Sequence, residues 1–156
     1  MKPGDRMVVA LVGQHHTGEA FTDWLLHVTV VAWFRSEFSS QDLADQLQAA
    51  LDGINPFEIV TGEEVYLGYT GKTLVNLVAL PSPLTDIEER VGVVLDKASV
   101  RMTATRGTWG GPYKPHITIQ RQERLHKGDK FYCDRLFVIS KQDQHGHLID
   151  AEVSLQ

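Results

Sequence analysis

Cysteine is almost absent from this chain, because Cys133 is the only one among 156 residues. A single thiol can form neither an intramolecular disulfide nor a cysteine-based metal cage. Long apolar runs are also missing: no stretch is long enough to span a bilayer, and the short run from Met7 to Val12 predicts a first strand. We therefore expect a soluble protein in a reducing, cytoplasmic setting, with no membrane partner.

Positive charge is also scarce, because the chain has only 15 Lys and Arg residues against 20 Asp and Glu residues, which gives a formal net charge of −5. This balance argues against a protein that coats long duplex nucleic acid through bulk electrostatics. The charge is unevenly distributed: residues 37–64 contain no Lys or Arg, whereas residues 97–130 contain eight. Two solvated surfaces of opposite sign are the simplest interpretation. Beside an anion site, the basic stretch would also attract a small anionic substrate.

Two similar tetrapeptides are the most informative feature that is present. The sequence HVTV begins at His27 and the sequence HITI begins at His116. Side chains alternate between the two faces of a strand, so each histidine shares a face with the threonine two residues later, Thr29 or Thr118. The apolar residues of each motif point the other way. Each motif therefore predicts a strand with an apolar underside and an imidazole and a hydroxyl on its upper face.

A pair of such strands, lying side by side, would surround one small cavity with two imidazoles and two hydroxyls. Imidazole titrates near neutral pH, so one ring can take a proton while the other donates one. The hydroxyls of Thr29 and Thr118 can donate to the non-bridging oxygens of a phosphodiester. One motif alone would be read as a half-buried strand histidine beside a threonine. The occurrence of both motifs, each in a convincing strand, favours a functional site.

The hydrophobic pattern predicts a single domain, residues 1–156, of the α+β class with antiparallel sheets. Helices are predicted from the N-cap Ser39/Ser40 to Gly53 and from about Thr85 to Ala98. The two motifs lie 89 residues apart, each in a half with one helix and several strands, which suggests a weak duplication with a pseudo-twofold axis near the motif strands. The predicted strands are Met7–Val12, Leu26–Phe34, Pro56–Val60, Glu64–Tyr69, Thr73–Leu80, His116–Arg121, Phe131–Ser140 and His147–Ser154.

The surroundings of the motifs carry a family resemblance. Tyr113-Lys114-Pro115 precedes the second motif, Arg121 follows it, and Tyr66-Leu67-Gly68 precedes an apolar strand. With the two motifs, these residues make the chain similar to the two-histidine (2H) phosphoesterase superfamily, which includes the 2′-5′ RNA ligase and 2′,3′-cyclic phosphodiesterase families. The resemblance implies a bilobal α+β fold in which the motif strands line a central cleft, with the helices packed outside and no metal or other cofactor.

The activity that the resemblance implies is that of a metal-independent phosphodiesterase. Its substrate would be a small nucleotide or an RNA end with a 2′,3′-cyclic phosphate or a 2′-5′ linkage, and we expect it to act as a monomer. The resemblance assigns His116 as the base and His27 as the acid, an order that the residues themselves leave open. Alternatives are a phosphodiesterase of cyclic oligonucleotide signals, a non-catalytic module that binds RNA ends or nucleotides, and a protein whose motifs are fortuitous.

Several aromatic residues are weaker candidates for substrate contacts. Tyr113, Tyr66 and Trp109 could each stack on a base, although a buried aromatic in a loop is the commoner outcome for such residues. Trp33 shares the predicted face of His27, so it could form the floor of the cleft or simply pack there.

Charged residues and the remaining histidines give weaker signals still. Lys114 could supply positive charge to the site. Arg121 could reach a phosphate, but strand alternation places it on the apolar face unless the strand bends. The pairs His15-His16 and His145-Gly146-His147 invite a zinc interpretation, yet neither has a neighbouring cysteine, and exposed histidines are the simpler expectation.

Overall fold

Ten strands and two helices make up the regular structure of the computed structural model, which describes residues 2–68, 70–97, 101–102 and 112–156, with only the backbone described at 101–102. Trp109 lies outside these ranges. The elements are β1 (Arg6–Leu11), β2 (Ala20–Phe21), β3 (His27–Arg35), α1 (Ser40–Ala50), β4 (Phe57–Leu67), β5 (Thr73–Val78), α2 (Leu84–Lys97), β6 (Arg101–Met102), β7 (His116–Thr118), β8 (Lys130–Cys133), β9 (Arg135–Lys141) and β10 (His147–Ser154).

The strands follow the order β2-β10-β9-β1-β3-β7-β5-β4-β8, with β6 also beside β3, and the pairs among the described residues are antiparallel. The prediction of an α+β fold with antiparallel pairing is therefore confirmed. The two motif strands, β3 and β7, are neighbours near the middle of this order. Val28 pairs with Ile117 between them, and an antiparallel pair has local twofold symmetry, in agreement with the expected pseudo-twofold arrangement.

Both helices pack on one face of the sheet. Helix α1 begins after Ser39, whose hydroxyl accepts a hydrogen bond from the Asp42 backbone N–H at 3.0 Å, as expected of an N-cap. Apolar residues at helical spacing, among them Leu47 in α1 and Val91 in α2, join one core with Val28 and Ile117. The helices therefore cover the apolar underside of the motif strands, and the predicted position of the helices outside the cleft is confirmed.

The opposite face of the sheet carries a second apolar cluster. Val9 pairs with Thr29 and Leu11 pairs with His27, so these β1 residues lie on the same face as the motif histidine. The cluster contains Met7, Val9, Leu11, Phe137, Ile139 and Ile149, against which Phe21, Trp24, Leu25 and Trp33 pack. The face that bears the histidines is thus apolar and aromatic on the β1 side.

Four of the predicted strands differ clearly from the structure. The predicted strand His116–Arg121 ends at Thr118. The two strands predicted on either side of Thr61 form one strand, β4, with a register shift between Thr61 and Glu64. Gly62 explains the continuity, because its backbone approaches β5 so closely that a Cβ would lie 2.9 Å from the Leu77 carbonyl oxygen. The predicted strand Phe131–Ser140 is divided at Asp134 into β8 and β9.

Strands β2 and β6 have two residues each and were not predicted, because two residues show no alternation of polarity. Neither helix among the described residues has the length and apolar character needed to cross a bilayer.

The buried Ile117 tests how strongly the central pairing depends on packing. We expect Ile117→Ala to lower the free energy of unfolding by about 2–5 kcal/mol, because Ile117 is 1% exposed and its truncation leaves a cavity beneath β7. The matched variant Ile117→Val should cost only about 0.5–1.5 kcal/mol. Urea denaturation measures both values. Equal effects of the two variants would contradict the packing argument.

Candidate active site

The register between β3 and β7 brings the two motifs together. Because Val28 pairs with Ile117 in antiparallel sense, His27 lies opposite Thr118 and Thr29 lies opposite His116. Cβ atoms of directly opposite residues are about 4.5–5.5 Å apart, and diagonal neighbours such as the two histidines are about 7–8 Å apart. All four side chains line one cavity of about 610 Å³. The sequence-based expectation that the two imidazoles share a cavity therefore agrees with this geometry.

Both imidazoles are oriented by the same local hydrogen bond. The Nδ1 atom of His27 lies 2.7 Å from the Leu25 carbonyl oxygen, and Nδ1 of His116 lies 2.7 Å from the Lys114 carbonyl oxygen. A carbonyl oxygen can only accept, so Nδ1 of each ring must carry the proton and donate it. Nε2 is then the basic nitrogen of each neutral ring. The two histidines thus have the same tautomer and the same means of taking up or releasing a proton.

The environment of the two rings favours their neutral forms. Burial lowers the pKa of His27, with a smaller lowering effect from the positive charge of His116 and an opposing effect from the hydrogen bond to Leu25. Burial likewise lowers the pKa of His116, against the hydrogen bond to Lys114. In the absence of substrate, both rings therefore lose their protons at a lower pH than an ordinary histidine does.

Tyr113 and Lys114 support the site from outside the cavity lining. The Tyr113 hydroxyl donates to the Thr29 carbonyl oxygen at 2.8 Å, its ring packs against the core, and burial raises the pKa of this phenol. Lys114 is exposed, and its contribution is the carbonyl oxygen that orients His116. Tyr113 is therefore a partly buried aromatic residue of the loop and the Lys114 side chain is exposed, and their contributions to substrate binding stay predictions.

Tyr66 lies away from the histidines. Val65 pairs with Val75, and Val75 pairs with Thr118, so the cavity-facing position of β4 is Val65. The Tyr66 side chain consequently points to the opposite face, where it is 65% exposed. The expectation that Tyr66 stacks on a base at this site is not supported.

Arg121 and Trp33 do line the cavity. Arg121 reaches it because β7 ends at Thr118, so the alternation that would have placed the arginine on the apolar face no longer applies. Two register shifts between β1 and β3 interrupt the alternation of side chains along β3. Val31 therefore joins the core on the helix side, while Ala32 and Trp33 line the cavity.

Trp24 is the most prominent lining residue that sequence reasoning missed. Its ring centroid lies 5.1 Å from that of His27 and 6.0 Å from that of Trp33, so it forms an aromatic wall beside the first motif. No periodic signal identifies Trp24, because it precedes β3. Gln120 and Gln122 were also missed, although the two-residue period that starts at His116 points to both. The other lining residues are Met7, Asp23 and Ala32.

The zinc interpretation of the other histidines finds no support, since within the described ranges no group of three His, Cys, Asp or Glu side chains is placed to hold a metal. The expectation of exposed histidines was wrong for two of them. Nδ1 of His15 pairs with Glu19, and His147 is only 4% exposed, with its ring packed against Phe21 and Trp24. Aromatic packing from β2 and the following segment accounts for the burial of His147.

The fold and this cavity define an antiparallel α+β protein with a paired histidine–threonine site. A model of the 2′-5′ RNA ligase superfamily matches residues 5–143, and the chain therefore belongs to this superfamily. No curated protein matches the chain.

Solved structures of similar fold come from several organisms. Escherichia coli LigT complexed with 3′-AMP has a TM-score of 0.67 at 10% identity, with 99% of each chain covered. The protein TT0787 of Thermus thermophilus has a TM-score of 0.66 at 13% identity, with 97% of each chain covered. Usb1 of Kluyveromyces marxianus has a TM-score of 0.53 at 10% identity, with 98% of this chain and 99% of that chain covered. These likenesses show a common fold.

The lowered histidine pKa values predict a stability change with pH. Between pH 8 and pH 5 the unfolded chain, with imidazole pKa values near 6.5, takes up protons before the folded protein does, so the free energy of unfolding falls as the pH falls. The double variant His27→Gln/His116→Gln should lose less of its unfolding free energy over this interval, as measured by urea denaturation. Equal losses in both proteins would contradict the assignment.

Proposed function

We propose that this protein is a metal-independent phosphodiesterase that acts on 2′,3′-cyclic phosphates or 2′-5′ linkages of small nucleotides or RNA ends. The observation that carries the proposal is the single cavity in which His27, Thr29, His116 and Thr118 alternate across two paired strands. Membership of the 2′-5′ RNA ligase superfamily supports phosphodiesterase-type chemistry. Three of the solved LigT structures were complexed with 3′-AMP, ATP or NADP+, and ligands of this size fit our choice of a small nucleotide.

In the proposed mechanism, one histidine activates the nucleophile and the other protonates the leaving oxygen. Nε2 of neutral His116 accepts a proton from the attacking hydroxyl or water. Protonated His27 donates its Nε2 proton to the leaving ribose oxygen. The Nδ1–H bonds to Leu25 and Lys114 keep both rings in the required orientation during the transfer. The reverse reaction exchanges the two roles, so ligation and hydrolysis use the same residues.

The two threonines stabilise the negative charge that develops on the phosphate oxygens. Thr29 lies opposite His116 and Thr118 lies opposite His27, so a phosphate held between the imidazoles has one hydroxyl on each side. Each hydroxyl donates to a non-bridging oxygen, and these donors gain strength as negative charge builds in the transition state. The cavity supplies this stabilisation with its own donors, which is the basis for proposing that no metal is needed.

Single substitutions with a defined substrate panel test the proposal. In EDTA we expect turnover of nucleoside 2′,3′-cyclic phosphates or 2′-5′ dinucleotides by the wild type, near-complete loss in His27→Ala and His116→Ala, and a decrease of about ten- to a thousandfold in Thr29→Ala and Thr118→Ala. Product masses report the reaction, and the exposed Lys130→Gln is the control.

The outcomes of this panel separate the alternatives. Loss of activity in EDTA would contradict the metal-independent scheme. Binding of these nucleotides without turnover would indicate a non-catalytic binding module. Turnover of cyclic dinucleotides alone would identify a phosphodiesterase of cyclic oligonucleotide signals, and neither binding nor turnover would mean that the motifs are fortuitous.

The pH profile gives a second prediction. Catalysis needs one neutral and one protonated histidine, and burial lowers both pKa values, so kcat/KM should follow a bell centred below pH 6.5. A bound phosphodiester anion stabilises the protonated rings, so the kcat profile should lie at higher pH. Steady-state kinetics from pH 4.5 to 9 measure both. A kcat/KM maximum above pH 7.5 would contradict the scheme.

A further inference from the structure

His147 is a buried histidine that the proposed mechanism does not use. It begins β10, where it pairs with Phe21 of β2 and with Lys141 of β9, and it is 4% exposed. Neither of its ring nitrogens has a hydrogen-bond partner within the part of the chain that the structure describes. A buried polar atom without a partner costs folding free energy, so hydrogen bonding does not explain why a histidine occupies this position.

The contacts of His147 are with aromatic rings. Its ring centroid lies 4.3 Å from that of Trp24, 5.2 Å from that of Phe21 and 6.0 Å from that of Trp33. It stacks on Phe21 and Trp33 at interplanar angles of 20° and 29°. Because Trp24 and Trp33 line the cavity, His147 is the centre of an aromatic cluster that forms one wall of the candidate active site.

Trp24 connects this cluster to the first motif. Its ring centroid lies 5.1 Å from that of His27 as well as 4.3 Å from that of His147, so the indole contacts both histidines. Trp24 lies between β2 and β3 in a segment without regular secondary structure, and no strand pairing fixes its side chain. Ring contacts must fix it, and His147 is the nearest of the rings that the structure places around Trp24.

The charged groups near His147 leave its ring neutral. The Lys141 ammonium donates to a carbonyl oxygen of the same hairpin, and the Asp143 carboxylate accepts from backbone N–H groups of the turn before β10. On the side of Trp24, the nearest carboxylate in sequence is Asp23, which lines the cavity. Burial lowers the pKa of His147 and the Lys141 charge lowers it further, against smaller opposing effects of the Phe21 backbone and Asp143. At pH 7 a neutral, flat ring therefore packs against the indole.

The position of Trp24 affects the proton equilibrium of His27. Burial is the largest cause of the lowered pKa of His27, and the indole of Trp24 covers part of that imidazole. If the indole moved away, water would reach the imidazole, and the charged form would become less costly. A residue that fixes Trp24 therefore affects the proton that His27 donates in the proposed mechanism.

We propose that His147 is a positioning residue of the candidate active site that acts through Trp24: its ring holds the indole against His27 and so keeps water away from that imidazole. This inference rests on the proposed function, since it concerns the residue that acts as the acid there. His147 itself contacts neither the motif histidines nor the phosphate position, and its effect is transmitted by one intervening ring.

An NMR titration of His27 tests the inference without any turnover. The imidazole Hε1 resonance of His27 is assigned by its absence in His27→Gln. In His147→Ala we expect the pKa of His27 to rise towards the ordinary value of 6.5, because Trp24 loses its nearest support. His147→Phe keeps an aromatic ring at this position and should restore most of the lowering. His145→Ala, at an exposed histidine of the same hairpin, is the matched control and should leave the titration unchanged.

A double-mutant cycle shows whether His147 acts through Trp24. Trp24→Ala should by itself raise the pKa of His27, and the addition of His147→Ala should then change it little, because the intervening ring is gone. Additive shifts would mean that His147 affects His27 by another route, which would overturn the inference. Urea denaturation identifies any variant that is unfolded over the titration range. If His147→Ala is unfolded, His147→Val takes its place, since valine suits a strand and leaves a smaller cavity.

Kinetics measure the consequence for the proposed reaction. With the nucleoside 2′,3′-cyclic phosphate or 2′-5′ dinucleotide that the wild type turns over, His147→Ala should lower kcat by about ten- to a hundredfold, the scale of a misplaced reacting group. The pH optimum of kcat/KM should move upwards, because the pKa of one member of the histidine pair rises. His147→Phe should recover most of both, and His145→Ala should resemble the wild type.

The outcomes distinguish this inference from the proposed function. An unchanged pKa of His27 in His147→Ala, or the same raised pKa in His147→Ala and His147→Phe, would overturn the inference and leave the phosphodiesterase proposal intact. If the wild type turns over none of the substrates, the phosphodiesterase proposal fails. The NMR titrations then still decide whether His147 positions Trp24 against His27.

Discussion

The pairing of Val28 with Ile117 is the constraint on which the candidate site depends. These residues are 0% and 1% exposed, and both belong to the core that the helices cover. Side chains alternate strictly along a strand, so a slip of one residue would turn His116 and Thr118 into that core and bring Ile117 to the cavity. Hydrophobic burial on one face of the sheet therefore determines the positions of the polar groups on the other face.

Main-chain carbonyl groups, and not carboxylates, orient both imidazoles, and this affects the pKa values of the two histidines. Leu25 and Lys114 each accept from Nδ1 of the histidine two residues later. A carbonyl oxygen fixes the tautomer without the full negative charge of a carboxylate, so burial still lowers both pKa values. Both rings therefore lose their protons at a lower pH than an ordinary histidine does.

Part of the cavity lining comes from residues outside the paired motifs. Trp24 belongs to the segment before β3, and Arg121 follows the end of β7, whereas the chemistry is assigned to four residues within the strands. The paired strands thus position the four motif side chains, whereas these two lining residues come from segments beyond the strand ends.

The sequence by itself determined the α+β class, the main helices and strands, and the face that each motif histidine shares with its threonine, because propensity and alternation are local properties of the backbone. Only the tertiary structure decided that Arg121 reaches the cavity, that Tyr113 supports Thr29 from below, that Tyr66 points away, and that Trp24 contacts His27. The physical reason is that these positions depend on where a strand ends, on register shifts and on which distant strand lies alongside. Such features are set by the packing of the whole sheet and leave no periodic mark in the local sequence.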